Sequence, residues 1–364
     1  MDEIRIRRRL ATEIVSGVGA VAALTGGCSA SAQAHPARAV HSIHAARAAH
    51  AAQAGRPAVV QVQGAEIGGF RDRPQQLTFS PDGKVLATAD SDGTARFWNV
   101  ATQRQIGKPI MIPHVGIKNV AYSPDGKVLA TADTDGTARL FNVATHRPIG
   151  APFGGGKLKV VSVAFSPDGR MLASAAFGRS VRLWNIAAHR QVGVLTLPGV
   201  QYPAHLMSVK FSPDGKLLLT TESDGVARLW SVATRRQVGK PVGDTRGGVN
   251  TAVFSPDGKL IGLAASLSDS VWSVATRRQV GKSMPSDRSD SVGVAFTPDG
   301  KTLVTDYVDA AIRQWSVATD RQIRPAIVLE GYHPFNVEAL SPDGKILATT
   351  ELNQNARLWI LSKA

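Results

Sequence analysis

The chain is written in short apolar runs separated by turn residues. The clearest copy of the pattern occupies residues 119–150, NVAYSPDGKVLATADTDGTARLFNVATHRPIG. An apolar run at 119–122 opens it. Ser123-Pro124-Asp125-Gly126 then predicts a turn: serine caps it, proline presets φ, aspartate tolerates the third position and glycine takes the left-handed exit. Residues 127–132 read as a second strand. Asp133-Thr134-Asp135-Gly136 is the next turn, because Asp-Gly is a strong hairpin signal. Residues 137–143 form a third strand, 145–148 turn again, and Ile149-Gly150 opens a short fourth. Four antiparallel strands are thus expected in about 43 residues.

The same phrase recurs seven times. Its marker, Ser/Thr-Pro-Asp-Gly, begins at Ser80, Ser123, Ser166, Ser212, Ser255, Thr297 and Ser341, with gaps of 43, 43, 46, 43, 42 and 44 residues. A period of about 40–45 residues is that of a propeller blade. One blade alone cannot bury both of its faces, whereas a ring covers each sheet with its two neighbours. The seventh unit reaches Ala364 just after its third strand, and residues 57–63, PAVVQVQ, form an orphan strand ahead of the first unit. The expectation is that residues 57–63 supply the outer strand of the last blade and leave no long unpaired edge.

The third strands carry DGTARFW (92–98), DGTARLF (135–141), VRLW (181–184), DGVARLW (224–230), IRQW (312–315) and NARLW (355–359). With the order and spacing of the seven units, these residues resemble the WD40 repeat family from Gln76 onward. The resemblance implies an all-β fold: a seven-bladed WD40-like β-propeller of four-stranded antiparallel blades, the last closed by an N-terminal strand. It also implies a platform for protein–protein interaction. The Trp-Asp pair itself never occurs; Trp98-Asn99, Phe141-Asn142, Trp184-Asn185, Trp230-Ser231, Trp272-Ser273, Trp315-Ser316 and Trp359-Ile360 stand there. The Gly-His pair before the first strand is missing, so the family's Asp–His–Ser/Thr–Trp tetrad is incomplete. Its Ser/Thr is kept at Thr88, Thr131, Ser174, Thr220, Thr305 and Thr349 but is Leu263 in the fifth unit, the expected least regular blade. Ser-Pro-Asp-Gly-Lys also occurs in TolB-like periplasmic propellers, a second reading that the following D-G-T-A-R-L-W disfavours.

The first 56 residues read differently. Arg5, Arg7, Arg8 and Arg9 precede the apolar or small stretch 14–27, and Cys28 follows. A basic segment, an apolar segment and small residues describe an export signal. Gly26-Gly27-Cys28 resembles a lipobox, with Cys28 the lipidation site; Ala32-Gln33-Ala34 offers ordinary cleavage instead. Residues 29–56 are Ala- and His-rich and bury too little apolar surface to fold. The division is therefore an export signal at 1–28, a linker at 29–56 and a propeller at 57–364. The expected location is extracytoplasmic, as a cell-surface lipoprotein or secreted protein, with a cytoplasmic protein as the alternative. A single cysteine permits no intramolecular disulfide. No apolar run reaches the roughly 18–20 residues of a membrane-spanning helix.

No motif of catalysis stands out. The aspartates after the prolines, Asp82, Asp125, Asp168, Asp214, Asp257, Asp299 and Asp343, recur in every unit, whereas a catalytic carboxylate is unique or paired. The D-x-D-G pieces lack the rest of a calcium loop. No G-x-S-x-G, Walker, H-E-x-x-H or C-x-x-C pattern occurs. The reading is therefore no enzyme, no cofactor and no metal. A propeller enzyme built from loops around the axis is the competing reading.

Charge refines the picture. The chain holds 42 Lys+Arg against 28 Asp+Glu, a net +14. Arg104, Arg147, Arg190, Arg236, Arg278 and Arg321 fall in equivalent turns after the third strands, predicting one basic face. Such a face suits anionic partners. No aromatics interleave with these arginines, which argues against nucleic acid. The opposite face carries loops in which the repeats diverge, where binding specificity resides. Its candidate binding residues are Phe70, Arg71, Met111, His114, Tyr202, His205, Tyr332, His333 and Phe335. The chain reads as a monomeric, non-catalytic platform for a protein partner, touching a membrane only through a lipid on Cys28.

Overall fold

A computed structural model of the chain describes residues 60–62, 65–68, 74–197, 205–243, 248–285, 290–309, 311–329, 334–351 and 355–361. All lie in one unit, Pro57–Ala364. The expected export signal with Cys28, the expected linker and the residues Phe70, Arg71, Tyr202, Tyr332 and His333 lie outside the described residues.

The unit is a seven-bladed β-propeller. Blade 1 contains Pro74–Phe79, Val85–Asp90, Thr94–Asn99 and Ile110–Met111, hydrogen-bonded in that order. Blade 2 (Ile117–Tyr122 to Phe153–Gly154) and blade 3 (Val160–Phe165 to Arg190–Thr196) repeat that order. Blade 4 starts at Leu206–Phe211, blade 5 at Val249–Phe254, blade 6 at Ser291–Phe296 and blade 7 at Pro334–Leu340. First strands of neighbouring blades pack on one another, that of blade 7 on that of blade 1 included, except that the first strand of blade 5 packs on the second strand of blade 4. Blade 5 keeps four strands; its irregularity lies in its tryptophan, below. Blade 4 has the reduced edge: its fourth segment is held by bridges of Ala227 with Val242 and Trp230 with Gln237.

Every Ser/Thr-Pro-Asp-Gly tetrapeptide makes the predicted turn. In blade 1 the Ser80 hydroxyl donates to Asp82 Oδ1 (2.6 Å) and accepts from Val85 N (3.0 Å), while Gly83 N donates to Ser80 O (2.8 Å). Gly83 sits at φ +70°, where a side chain is strained. The turn also joins blades. The bare face of Gly126 meets the ring of Pro81, one blade back, and Gly83 meets Pro342 of blade 7. The same pairing links each remaining pair of neighbours, so a circle of seven proline–glycine contacts runs round one end of the axis.

Ring closure follows the predicted principle with different residues. Ala65–Ile67 pairs antiparallel with Ala356–Ile360 and completes blade 7. The expected clasp, residues 57–63, instead contributes Val60–Val62 to the outer edge of blade 6, parallel to Ile327–Leu329. Packing decides between them. Ile67 is 1% exposed among Leu77, Leu86, Trp98, Ala348 and Leu358, at the junction of blades 7 and 1.

Side chains replace the incomplete tetrad. The indole N–H donates to the surviving Ser/Thr in five blades, as from Trp230 to Thr220 Oγ1 (2.9 Å) and Trp359 to Thr349 Oγ1 (2.8 Å). In blade 5, where Leu263 has no hydroxyl, Trp272 donates to Ser270 Oγ (2.9 Å). The acid comes from the end of the same second strand. Thr220 donates to Glu222 (3.0 Å), and Glu222 is ion-paired with Arg228 on the third strand. Arg228 also reaches Asp224 at 2.8 Å. Blade 1 repeats this with Arg96, Asp90 and Asp92, and blade 2 with Arg139, Asp133 and Asp135.

Candidate functional site

The antiparallel order of each blade fixes which loops share a face. Second-to-third-strand turns and the inter-blade loops lie together at one end of the axis. The Ser-Pro-Asp-Gly turns and the third-to-fourth-strand turns lie at the other.

At the loop end, each first strand is bulged at the same position. The register slips between Pro74 and Gln76, Ile117 and Asn119, Val160 and Ser162, and Leu206 and Ser208, and likewise in the last three blades. A bulge leaves one residue unpaired and re-aims its side chain. The skipped residues of the first six blades are Gln75, Lys118, Val161, Met207, Asn250 and Val292, a ring whose chemistry differs from blade to blade. The Lys118 ammonium donates to Gln75 Oε1 at 2.9 Å between blades 1 and 2.

Among the described residues, apolar side chains gather at the loop end around blade 3. The Phe177 ring lies 4.2 Å from that of His205, centroid to centroid, and is 46% exposed. Leu158, 52% exposed, packs over Gly178, which follows Phe177. Leu206 N donates to Gly178 O (3.1 Å), which brings Met207, 45% exposed, beside the same turn. His205 is held in turn: its backbone N–H donates to Ser223 Oγ (3.0 Å) and Nδ1 lies 3.2 Å from that oxygen. Two inter-blade loops, the second-to-third-strand turn of blade 3 and the first strand of blade 4 thus bring Leu158, His205, Phe177 and Met207 together. Large apolar side chains grouped on a folded surface mark interaction sites.

Among the predicted loop residues, His205 enters this cluster. Met111 is 62% exposed on the outer strand of blade 1. His114 is exposed at φ +62°. Phe335 occupies the inner strand of blade 7. Leu158, Phe177 and Met207 were not foreseen. One signal was available in the sequence: Phe177-Gly178-Arg179 stands where units 1, 2 and 4 have Ser91-Asp92-Gly93, Thr134-Asp135-Gly136 and Ser223-Asp224-Gly225.

At the opposite end, Arg104, Arg147, Arg190, Arg236, Arg278 and Arg321 are all exposed. The lysines beside them are partly balanced within their own turns, as in Lys216–Asp214 (3.6 Å) and Lys259–Asp257 (3.7 Å). Each turn aspartate is held below the usual carboxylate range chiefly by the hydroxyl of its Ser or Thr. The residue before each arginine has another task. Gln103, His146, His189, Arg235, Arg277 and Asp320 adopt positive φ. From His146 to Asp320, these side chains lie over Gly107, Gly150, Gly193, Gly239 and Gly281 of the preceding blade. His146 and His189 also stack on Phe97 and Phe153, with centroids 4.6 and 4.1 Å apart. Arg235 and Arg277 therefore clamp neighbouring blades together, a contact that Arg236 and Arg278 do not make over these glycines.

The blade carboxylates are electrostatically unusual. Burial pushes Asp90 and Glu222 up to about 7 and Asp133 up to about 6, against the pull of their arginines. Asp269 is pushed up to about 6 by burial, although Tyr307 donates a hydrogen bond to it. All four lie inside the sheets or between blades, where they serve packing. Among the described residues, no group of three or more His, Cys, Asp or Glu is arranged to hold a metal ion.

The family model described as WD domain, G-beta repeat, matches residues 72–99, 107–142, 151–185 and 196–231. No curated protein matches the chain.

Proposed function

Blades 1 to 4 carry WD40 repeats, and from that premise we propose that the protein is a non-catalytic platform that docks a protein partner on its loop face. WD40 propellers are generally scaffolds for protein interaction. The observation that carries this reading is the exposed group Leu158, Phe177 and Met207 around the fixed His205. Aromatic and Met side chains are enriched at interfaces, where they supply contact area at low entropy cost. A bulged, closed ring presents them on a rigid base, which lowers the ordering cost of binding. A photocrosslinking residue at position 177 should capture a discrete partner in cells, and one at Arg278 should not. Capture at 278 with none at 177 would move the site to the basic face.

Export and tethering belong to the same reading. The basic start, the apolar stretch and Gly26-Gly27-Cys28 support a lipid-anchored protein outside the cytoplasm, with residues 29–56 as spacer. Intact mass of the mature protein, with its fraction, tests this. A diacylated Cys28 in membranes supports the anchor; an uncleaved soluble chain overturns it.

A further inference from the structure

The repeat breaks its symmetry at one point near the axis. The residue before the last of each first strand is Thr78, Ala121, Ala164, Lys210, Val253, Ala295 and, in blade 7, Ala339. One charged side chain stands among small and apolar ones. Lys210 lines a cavity of about 380 Å³ at the Ser-Pro-Asp-Gly end, together with Phe165, Phe211, Phe254 and Phe296. Turn prolines complete its wall. This end is opposite the Phe177 cluster, so the cavity is independent of the docking face.

The lysine is an odd tenant. Its side chain is partly buried by its neighbours. The apolar surroundings lower its pKa to about 8, with no acidic group acting against that shift. At neutral pH the amine still carries its proton, without a counter-ion in the cavity. A desolvated, unpaired cation is costly and is best relieved by an anion. Ser212 and Ser255 also line the cavity, and Lys210 is its one charged residue; the volume falls in the range of small-molecule pockets, whose usual build is apolar walls with a few polar groups.

We propose that this axial cavity binds a small molecule with one carboxylate on a flat apolar body. The carboxylate pairs with Lys210 Nζ, and the body lies among Phe165, Phe211, Phe254 and Phe296. The single cation makes the site select an anion over its neutral isostere, since the neutral form leaves the ammonium unpaired. The four rings make it select a flat aromatic body over a polar one.

The test is calorimetric titration of the full chain with 2-naphthoate as probe, and with 2-naphthamide as the neutral isostere. Naphthoate should bind one to one and at least tenfold more tightly than the amide. Lys210→Met should remove that difference, and Phe254→Ala should weaken both ligands. Raising the pH from 7 to 10 should weaken naphthoate binding alone. No binding at millimolar naphthoate, or equal binding by Lys210→Met, overturns the site. A second measurement uses the unmutated chain. After reductive methylation with labelled formaldehyde, the Lys210 dimethylamine resonance should shift on naphthoate addition; an unmoved resonance overturns the proposal however the variants fold.

Discussion

Truncating Ile67 tests what holds the ring shut. Ile67 is 1% exposed and touches both the last blade and the first. Ile67→Ala removes three buried carbons. At about 0.8 kcal/mol per methylene the transfer loss is roughly 2–3 kcal/mol, and the cavity left behind extends the range toward ~4. The strand carrying it pairs with its neighbour over only three residues, Ala65–Ile67, so little backbone pairing can compensate. Urea unfolding followed by tryptophan fluorescence measures the loss. Hydrogen exchange over residues 356–361 locates it, because the unclasped edge should open before the other blades. Deleting residues 57–63 is the matched control. It removes an addition to blade 6 and spares the clasp, so the midpoint should stay near that of the parent. An Ile67→Ala protein within about 0.5 kcal/mol of the parent, the range of ordinary surface changes, refutes the closure argument. So does a 57–63 deletion that costs more than Ile67→Ala.

Two further outcomes follow from the buried charges. Arg228→Ala leaves Glu222 without its ion pair in the sheet and should destabilise the chain by about 3–5 kcal/mol. Arg236→Ala, eight residues on at the exposed basic face, should change stability by less than about 0.5 kcal/mol, and urea midpoints separate the two. Asp269 has a folded pKa raised from 3.8 to about 6. The folded chain therefore keeps a proton there that the unfolded chain releases near pH 4, and the stability this provides is present below pH 4 and lost as the pH rises through 6. Asp269→Asn should flatten the fall in urea midpoint between pH 4 and 6; an unchanged slope refutes the assignment.

Much of the fold is legible because its signals are local. Ser-Pro-Asp-Gly encodes a turn in four residues, and all seven copies form it. The propeller follows from their spacing alone. What escapes the sequence depends on partners far along the chain. Residues 57–63 and 65–67 are both short and partly apolar, and only the pocket for Ile67, formed by residues about 10 to 290 positions away, decides between them. The bulge before Ser208 has no sequence mark, so Met207 reads as an ordinary strand residue. The arginine of the third strand is buried although buried arginine is rare, and its acid lies six residues earlier, on the neighbouring strand. Of the candidate site, His205 was legible from loop divergence, whereas its ring contact with Phe177 depends on a turn of blade 3 meeting the loop between blades 3 and 4.

The circle of proline–glycine contacts has a consequence for chain order. Each blade offers a proline to the next and receives one on its glycine, and the contact between Pro342 and Gly83 is of the same kind as that between Pro81 and Gly126. At this end of the axis the molecule has no first or last blade. The place where the chain starts is marked elsewhere, by the three residues Ala65–Ile67 borrowed into blade 7. A circular permutant with its old ends joined and new ones opened in another inter-blade loop would keep every proline seated on a glycine.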